Sequence, residues 1–251
     1  MPAASPWSKS FSAEQYNSSM RLSGYEPILG TALAKLSLAN DSIFEVGPGD
    51  GGLSRYLWPL QGRYQAVEID PHMVRTIRER LITYPKIDSN VIEGDWESID
   101  WQTIGAVDTG FAANTYGLTD GAANLWEKFR STCRKRIIWI VPAQKGPRSW
   151  CLSGIFPPEI HGLSEKPGVE TTLAELEHGA PIPGIQYFDW KFHQRFLSPE
   201  AAENFISDKM EGINPSLWTP ILRENLQPYD GEWIATAPKR SAMLIWNFPT
   251  I

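Results

Sequence analysis

Residues 44–57 read FEVGPGDGGLSRYL, an apolar run of strand length closed by a cluster of glycines. The run Ile43-Phe44-Glu45-Val46 predicts a buried strand. The glycines predict a tight turn, and Leu53, Tyr56, Leu57 and Leu60 predict a helix beyond it. A turn of this kind lets backbone amides approach a ligand closely, and it aims the positive end of the helix at an anionic group. It also restricts the fold, because a strand that feeds a helix must find its next strand through a crossover.

The chain repeats that alternation. Tyr64 to Ile69 reads as a second strand, and Asp70-Pro71 as a helix start, with a capping oxygen and a proline at the first helical position. Val74, Ile77 and Leu81 form that helix's apolar stripe. Asn90 to Glu93 predicts a third strand, Ala106 to Ala112 a fourth, and Arg136 to Val141 (RIIWIV) a fully buried fifth. Leu125, Trp126 and Phe129 mark the helix before the fifth. Strands alternating with helices imply parallel pairing, so the expectation is an α/β, doubly wound, mostly parallel sheet with helices on both faces.

The flanks differ. Residues 1–20 are polar, Ser-rich and without periodicity, and read as a loose arm; Ile28, Leu29, Ala32, Leu33 and Leu36 then share one helical face. Residues 1–40 are thus expected to be an arm and cap helix, with the main domain at 41–251. Within it, residues 142–184 hold seven prolines and several glycines, and read as an irregular, lid-like insertion with a short helix at 171–178. A strand at 185–196, helices opening at Ser198-Pro199-Glu200 and spanning 214–226, and a last strand at 242–248 complete the pattern.

At 251 residues and 42% hydrophobic, the chain can bury a sizeable core. Its formal net charge of −6 works against a broad nucleic-acid footprint, which draws on clustered Lys and Arg. No window has the roughly 18 apolar residues of a membrane span, and the start lacks signal-peptide order, so a cytoplasmic protein is expected. The two cysteines, Cys133 and Cys151, are too few for a disulfide framework or a structural zinc site, and the histidines show no metal spacing. Eleven tryptophans, among them Trp7, Trp96, Trp150 and Trp218, read as core and lid residues, or alternatively as walls of an acceptor pocket.

Gly47, Gly49 and Gly52 satisfy a dinucleotide fingerprint, so the turn alone fits NAD as well as S-adenosylmethionine (SAM). Three strand tips separate the two. Glu45, two residues before the first glycine, has no use at a pyrophosphate site but suits the ammonium of a methionine moiety. Glu68, in Ala66-Val67-Glu68-Ile69-Asp70, can accept both ribose hydroxyls of either cofactor. Asp95, in Glu93-Gly94-Asp95-Trp96, can accept an adenine amino group, with Trp96 as an apolar wall. With these residues in order, 41–142 resembles the class I, Rossmann-like SAM-dependent methyltransferases. That resemblance implies a seven-stranded sheet with a reversed last strand. It assigns Glu45, Gly47, Gly49 and Gly51 to the methionine part, Glu68 to the ribose, and Asp95 with Trp96 to the adenine.

FEVGPGDGGL, VEIDP and EGDW are also similar to the ribosomal RNA adenine dimethyltransferases, which carry an Asn-Leu-Pro-Tyr type motif after the fourth strand. Here that stretch is Ala113-Asn114-Thr115-Tyr116-Gly117, without the proline and with the ring one position early. VDTGFAANTYGLTD instead resembles the fourth-strand segment of many small-molecule methyltransferases. Charge and motif therefore lean toward a small-molecule acceptor, with RNA adenine methylation or non-catalytic SAM binding as alternatives. Asn114 is a candidate both for the cofactor and, with Tyr116, for catalysis. Tyr25 and Glu26 are further candidates whose plainer reading is a helix start.

Overall fold

The computed structural model describes residues 13–58, 62–115, 117–118, 121–146, 151–161 and 165–249. The chain opens with α1 (Ala13–Leu22) and α2 (Tyr25–Ala34), followed by β1 (Ile43–Val46), β2 (Gly62–Glu68) and α3 (Pro71–Ile82). Next come β3 (Ile87–Glu93), β4 (Val107–Ala113), α4 (Ala122–Thr132), β5 (Cys133–Pro142), α5 (Pro158–His161) and α6 (Gly168–Leu176). The last elements are β6 (Gly184–Phe196), α7 (Pro199–Ser207), α8 (Pro215–Glu224), β7 (Leu226–Tyr229) and β8 (Glu232–Asn247). Among the described residues the strands form one eight-stranded sheet in the order β3-β2-β1-β4-β5-β8-β6, with β7 paired to β8 off that path. β1 to β5 pair parallel, and β8 runs antiparallel to β5. The expected mostly parallel sheet with a reversed last strand is present, and β7 is an addition to it. Among the described residues no helix is long and apolar enough to cross a membrane.

The chain divides into two compact units. The larger takes its described residues from 27–143, 168–188 and 241–251. In its sheet, side-chain alternation separates two faces. Phe44, Val46, Val67, Ala112, Ile137, Trp139 and Val141 join Leu125, Trp126 and Phe129 of α4 and Val169 and Leu176 of α6 in one buried cluster. Trp126, Trp139 and Trp246 pack ring on ring there, with centroids 4.8–6.1 Å apart. Trp126 and Trp246 donate their indole N–H to Gly179 and Pro181 carbonyls, so much of the tryptophan excess is core. Met73, Val74, Ile77 and Leu81 of α3 are buried outside that cluster, and α3 packs on β2 and β3. Asp70 caps α3 as anticipated, accepting from the His72 and Met73 amides.

The smaller unit takes its described residues from 1–26, 144–167 and 189–240. Here the expectation of a loose arm needs correction, because 13–22 is helical. The reason is tertiary: Asn17, Ser19 and Met20 are buried, the Gly24 amide bonds the Lys191 carbonyl and the His193 amide bonds Ser23 Oγ. A polar segment without periodicity is thereby held by contacts distant in sequence. The helix expected at 214–226 ends at Glu224, β7 follows, and a hairpin turn in which Asp230 and Gly231 both have positive φ joins β7 to β8. An Asp-Gly pair is the ordinary chemistry of such a turn. Trp218 is buried here, and Trp7 and Trp150 lie outside the described residues.

Gly110 permits α4 to close on the sheet, since a Cβ at that position would strike the Phe129 ring and come within 2.6 Å of Cys133 Sγ. Gly110→Ala should therefore destabilise the protein by about 1–3 kcal/mol through overpacking. Urea unfolding followed by tryptophan fluorescence reads this directly.

Candidate functional site

The carboxyl ends of the parallel strands share one edge. The Gly47 amide bonds Val67 O, Gly94 bonds Glu68 O, and Asn114 bonds Ile140 O, each at 2.9 Å. In register, Glu45 lies beside Ala66 and Phe111, and Glu68 beside Glu93. The sequence-identified residues Glu45, Gly47, Gly49, Gly51, Glu68, Asp95, Trp96 and Asn114 all lie at or just beyond this edge. Tyr116 lies outside the described residues.

The glycine turn departs from expectation in two respects. Among the described residues after it there is only a 3-10 turn, Ser54–Tyr56. Pro59 in the sequence accounts for this, because proline disfavours helical backbone in the residue before it and donates no amide. The positive helix end expected at the turn is therefore not formed. In addition, the glycine amides are already engaged. Gly47 donates to Val67 O, Gly49 to Glu68 Oε2, Gly51 to Pro48 O, and Gly52 to Asp50 Oδ1. Asp50 in turn meets Arg80 of α3 at 2.9 Å, anchoring the turn to that helix.

Gly47, Gly49 and Gly51 all have positive φ, but they face different surroundings. A Cβ on Gly47 would run into Thr115, and one on Gly51 would come within 3.1 Å of Ile77. At Gly49 a Cβ would meet nothing within 4 Å. Gly49 is thus the glycine whose missing side chain leaves open space, directly beside Glu68.

Glu45 and Glu68 are both buried. Glu68 accepts the Gly49 amide through Oε2 and the Asp70 amide through Oε1, each at 2.9 Å. Burial nevertheless holds its pKa above the ordinary value, against those amide bonds. A carboxylate has about four acceptor sites, so each oxygen keeps capacity for a hydroxyl donor. Glu45 accepts the Tyr64 hydroxyl at 2.6 Å. Burial, with a smaller contribution from the like charge of Glu68, pushes the Glu45 pKa up to about 7, against the bond from Tyr64. Tyr64 was missed as a partner, although it shares strand parity with Ala66 and Glu68.

Beyond β3, Asp95 is half-buried and accepts the Glu97 amide at 3.0 Å. Trp96 is buried in the core cluster, and its ring lies 2.5 Å from where a Cβ on Gly117 would stand. Its indole N–H has no hydrogen-bond partner among the described residues. Asn114 is exposed and left-handed, with φ 49°, a conformation asparagine tolerates better than most residues. Thr115, which the sequence reading passed over, packs on Gly47. Tyr25 and Glu26 open α2, the plainer of their two readings; Tyr25 is buried, with its ring 4.9 Å from that of Trp190.

The residues present fit a compact cofactor with a cationic end and a ribose. Glu45 is a buried carboxylate near the turn, Glu68 keeps acceptor capacity, and open space adjoins Gly49. They fit a pyrophosphate poorly, since the four glycine amides it would use are spent within the protein.

No family model matches the chain. It is 38% identical over 65 residues to ribosomal RNA small subunit methyltransferase A of Chlorobium phaeobacteroides, covering 26% of this chain and 22% of that protein. The same enzyme of Leuconostoc citreum is 34% identical over 76 residues, 30% of this chain and 25% of that one. The chain thus spans about a quarter of the length of the curated relatives it matches. Among solved structures, it superposes on a candidate methyltransferase from Bacillus halodurans with a TM-score of 0.53 at 12% identity, covering 88% of this chain and 99% of that one. A magnesium protoporphyrin IX methyltransferase from Synechocystis with bound SAH gives 0.50 at 12% identity, covering 90% and 85%. The fold is that of the Rossmann-like methyltransferases.

The Glu45 carboxyl gives a testable pH dependence. Its folded pKa is raised above the unfolded value, so its contribution favours the folded state below about pH 4.5 and is lost as pH rises through about 7. Glu45→Gln should remove up to about 3 kcal/mol of that stability loss between pH 5 and 8. Urea unfolding of both proteins at the two pH values measures it, and parallel pH profiles would refute the assignment.

Proposed function

We propose that this chain is a SAM-dependent methyltransferase acting on a small molecule. The observation that carries the reading is the character of the carboxyl edge. Two buried carboxylates, Glu45 and Glu68, flank a turn whose glycine amides are all engaged. Such an edge receives a cation and hydroxyls rather than phosphate.

In this reading Glu68 holds the ribose hydroxyls with its remaining acceptor capacity. Gly49 provides room for close approach, and Glu45 faces the ammonium of the methionine part. Asp95 and the indole N–H of Trp96 serve the adenine. Bound SAM supplies an electrophilic methyl on a sulfonium, so the protein's task is to orient the acceptor in line with it. Asn114, exposed at the tip of β4, is the candidate for that orientation, and no dedicated base is required.

The net charge of −6 supports a small acceptor over a polynucleotide. A second reading, methylation of RNA adenine, has one observation in its favour, the partial identity to proteins named ribosomal RNA small subunit methyltransferase A. Incubation with methyl-labelled SAM and cell extract, followed by separation into RNA, protein and small molecules, distinguishes the two. Label in the small-molecule fraction is the expected result, and label in RNA would overturn it.

The cofactor assignment has its own test. SAM should bind in calorimetry, and Glu68→Ala should weaken it about 10–100-fold through loss of charge-assisted hydrogen bonds. Unchanged affinity in the variant, or displacement of SAM by NAD, would sink the assignment.

A further inference from the structure

The insertion expected at 142–184 divides between the two units: the described residues of Gln144–Pro167 belong to the smaller, and Gly168–Phe188 to the larger. Within the larger unit α6 buries Val169, Thr172 and Leu176, the spacing of one helical face. Val169 and Leu176 join the core cluster. The segment after α6 is pinned as well, since Trp126 Nε1 donates to Gly179 O at 3.2 Å and Trp246 Nε1 to Pro181 O at 2.7 Å.

Two polar side chains of α6 reach a different target, the stretch 114–122 that follows β4. Thr172 is fully buried, and its hydroxyl lies 2.6 Å from Leu118 O and 2.8 Å from Gly168 O. Its one proton serves Leu118, because Gly168 O already accepts the helical amide four residues on. Three residues later, Glu175 Oε2 accepts the Gly121 and Ala122 amides at 3.0 and 2.7 Å. These amides open α4, whose N-cap, Gly121, has no side chain with which to cap it. A carboxylate at that position also meets the positive end of the helix.

The same stretch meets the candidate cofactor edge twice. Thr115 stands where a Cβ on Gly47 would be, and a Cβ on Gly117 would run into the Trp96 ring. The backbone at Gly117 thus approaches that ring as closely as a missing side chain allows, and the next residue, Leu118, is the one that Thr172 holds. We propose that Thr172 and Glu175 are positioning residues for the cofactor. They clamp 114–122 against Gly47 and Trp96, and they make 168–181 a fixed brace rather than a moving lid. The proposal rests on the SAM reading of that edge. Were the stretch to lift, only the fraction of molecules with it in place would bind SAM, and the apparent affinity would fall by that fraction.

Thr172→Val keeps the branched shape and removes the donor to Leu118 O, whereas Thr172→Ser keeps the donor. In calorimetry SAM should bind at least about fivefold more weakly to Thr172→Val, and within about twofold of wild type to Thr172→Ser. Hydrogen exchange should quicken across 114–122 in Thr172→Val while β1 and β4 keep wild-type protection, which separates a loosened stretch from a damaged fold. Glu175→Ala should weaken SAM binding in the same direction, and Glu175→Gln, which keeps an acceptor at the helix start, should restore it. Wild-type affinity in Thr172→Val or Glu175→Ala, a Thr172→Ser variant as weak as Thr172→Val, or unchanged exchange across 114–122 would each overturn the proposal alone. A wild-type protein that binds no SAM would overturn the cofactor reading and the proposal together.

Discussion

The Glu68 carboxylate organises the carboxyl edge. One oxygen accepts the Gly49 amide and the other the Asp70 amide, so a single buried side chain ties the turn after β1 to the end of β2 and the start of α3. Asp70 then caps α3, and Arg80 of that helix returns to Asp50 in the turn. The glycine loop is thereby braced on both sides without a long helix behind it. Charge-assisted bonds from backbone amides are strong in a buried setting, which is why one carboxylate can hold three elements in place.

That bracing also bears on ligand chemistry. A glycine turn is commonly read as a source of free amides for phosphate. Here the glycines serve backbone conformation and close packing, and their N–H groups are consumed by the protein. The edge presents two carboxyl groups in place of free amides, and burial raises the pKa of both Glu45 and Glu68. The distinction between dinucleotide and SAM readings thus turns on where hydrogen bonds go, which a glycine pattern does not contain.

Much of the fold was legible because its signals are local. The alternation of apolar runs and helical stripes, the Asp70-Pro71 start, the Ser198-Pro199 start and the buried RIIWIV run all correspond to elements near their expected positions. Misses arose where local signals were weak or outvoted. The stripe Leu53, Tyr56, Leu57 suggested a helix that Pro59 disallows, and α1 has no periodicity because its polar residues are buried by distant partners. The turn at Asp230-Gly231, by contrast, had a readable signature. The extra strand β7 was concealed by its brevity.

For the site, the sequence by itself determined which residue types stand at the strand tips: Glu45, the glycines, Glu68, Asp95 and Asn114. Strand ends are set by local pattern, and a parallel sheet brings those ends to one edge. Only the tertiary structure decided what each is bonded to. It gave Tyr64 to Glu45, Gly49 and Asp70 to Glu68, Thr115 to Gly47, and Gly117 to Trp96. The physical reason is that hydrogen bonding and desolvation depend on distances between residues far apart in the chain, and pattern along the chain carries no such distances.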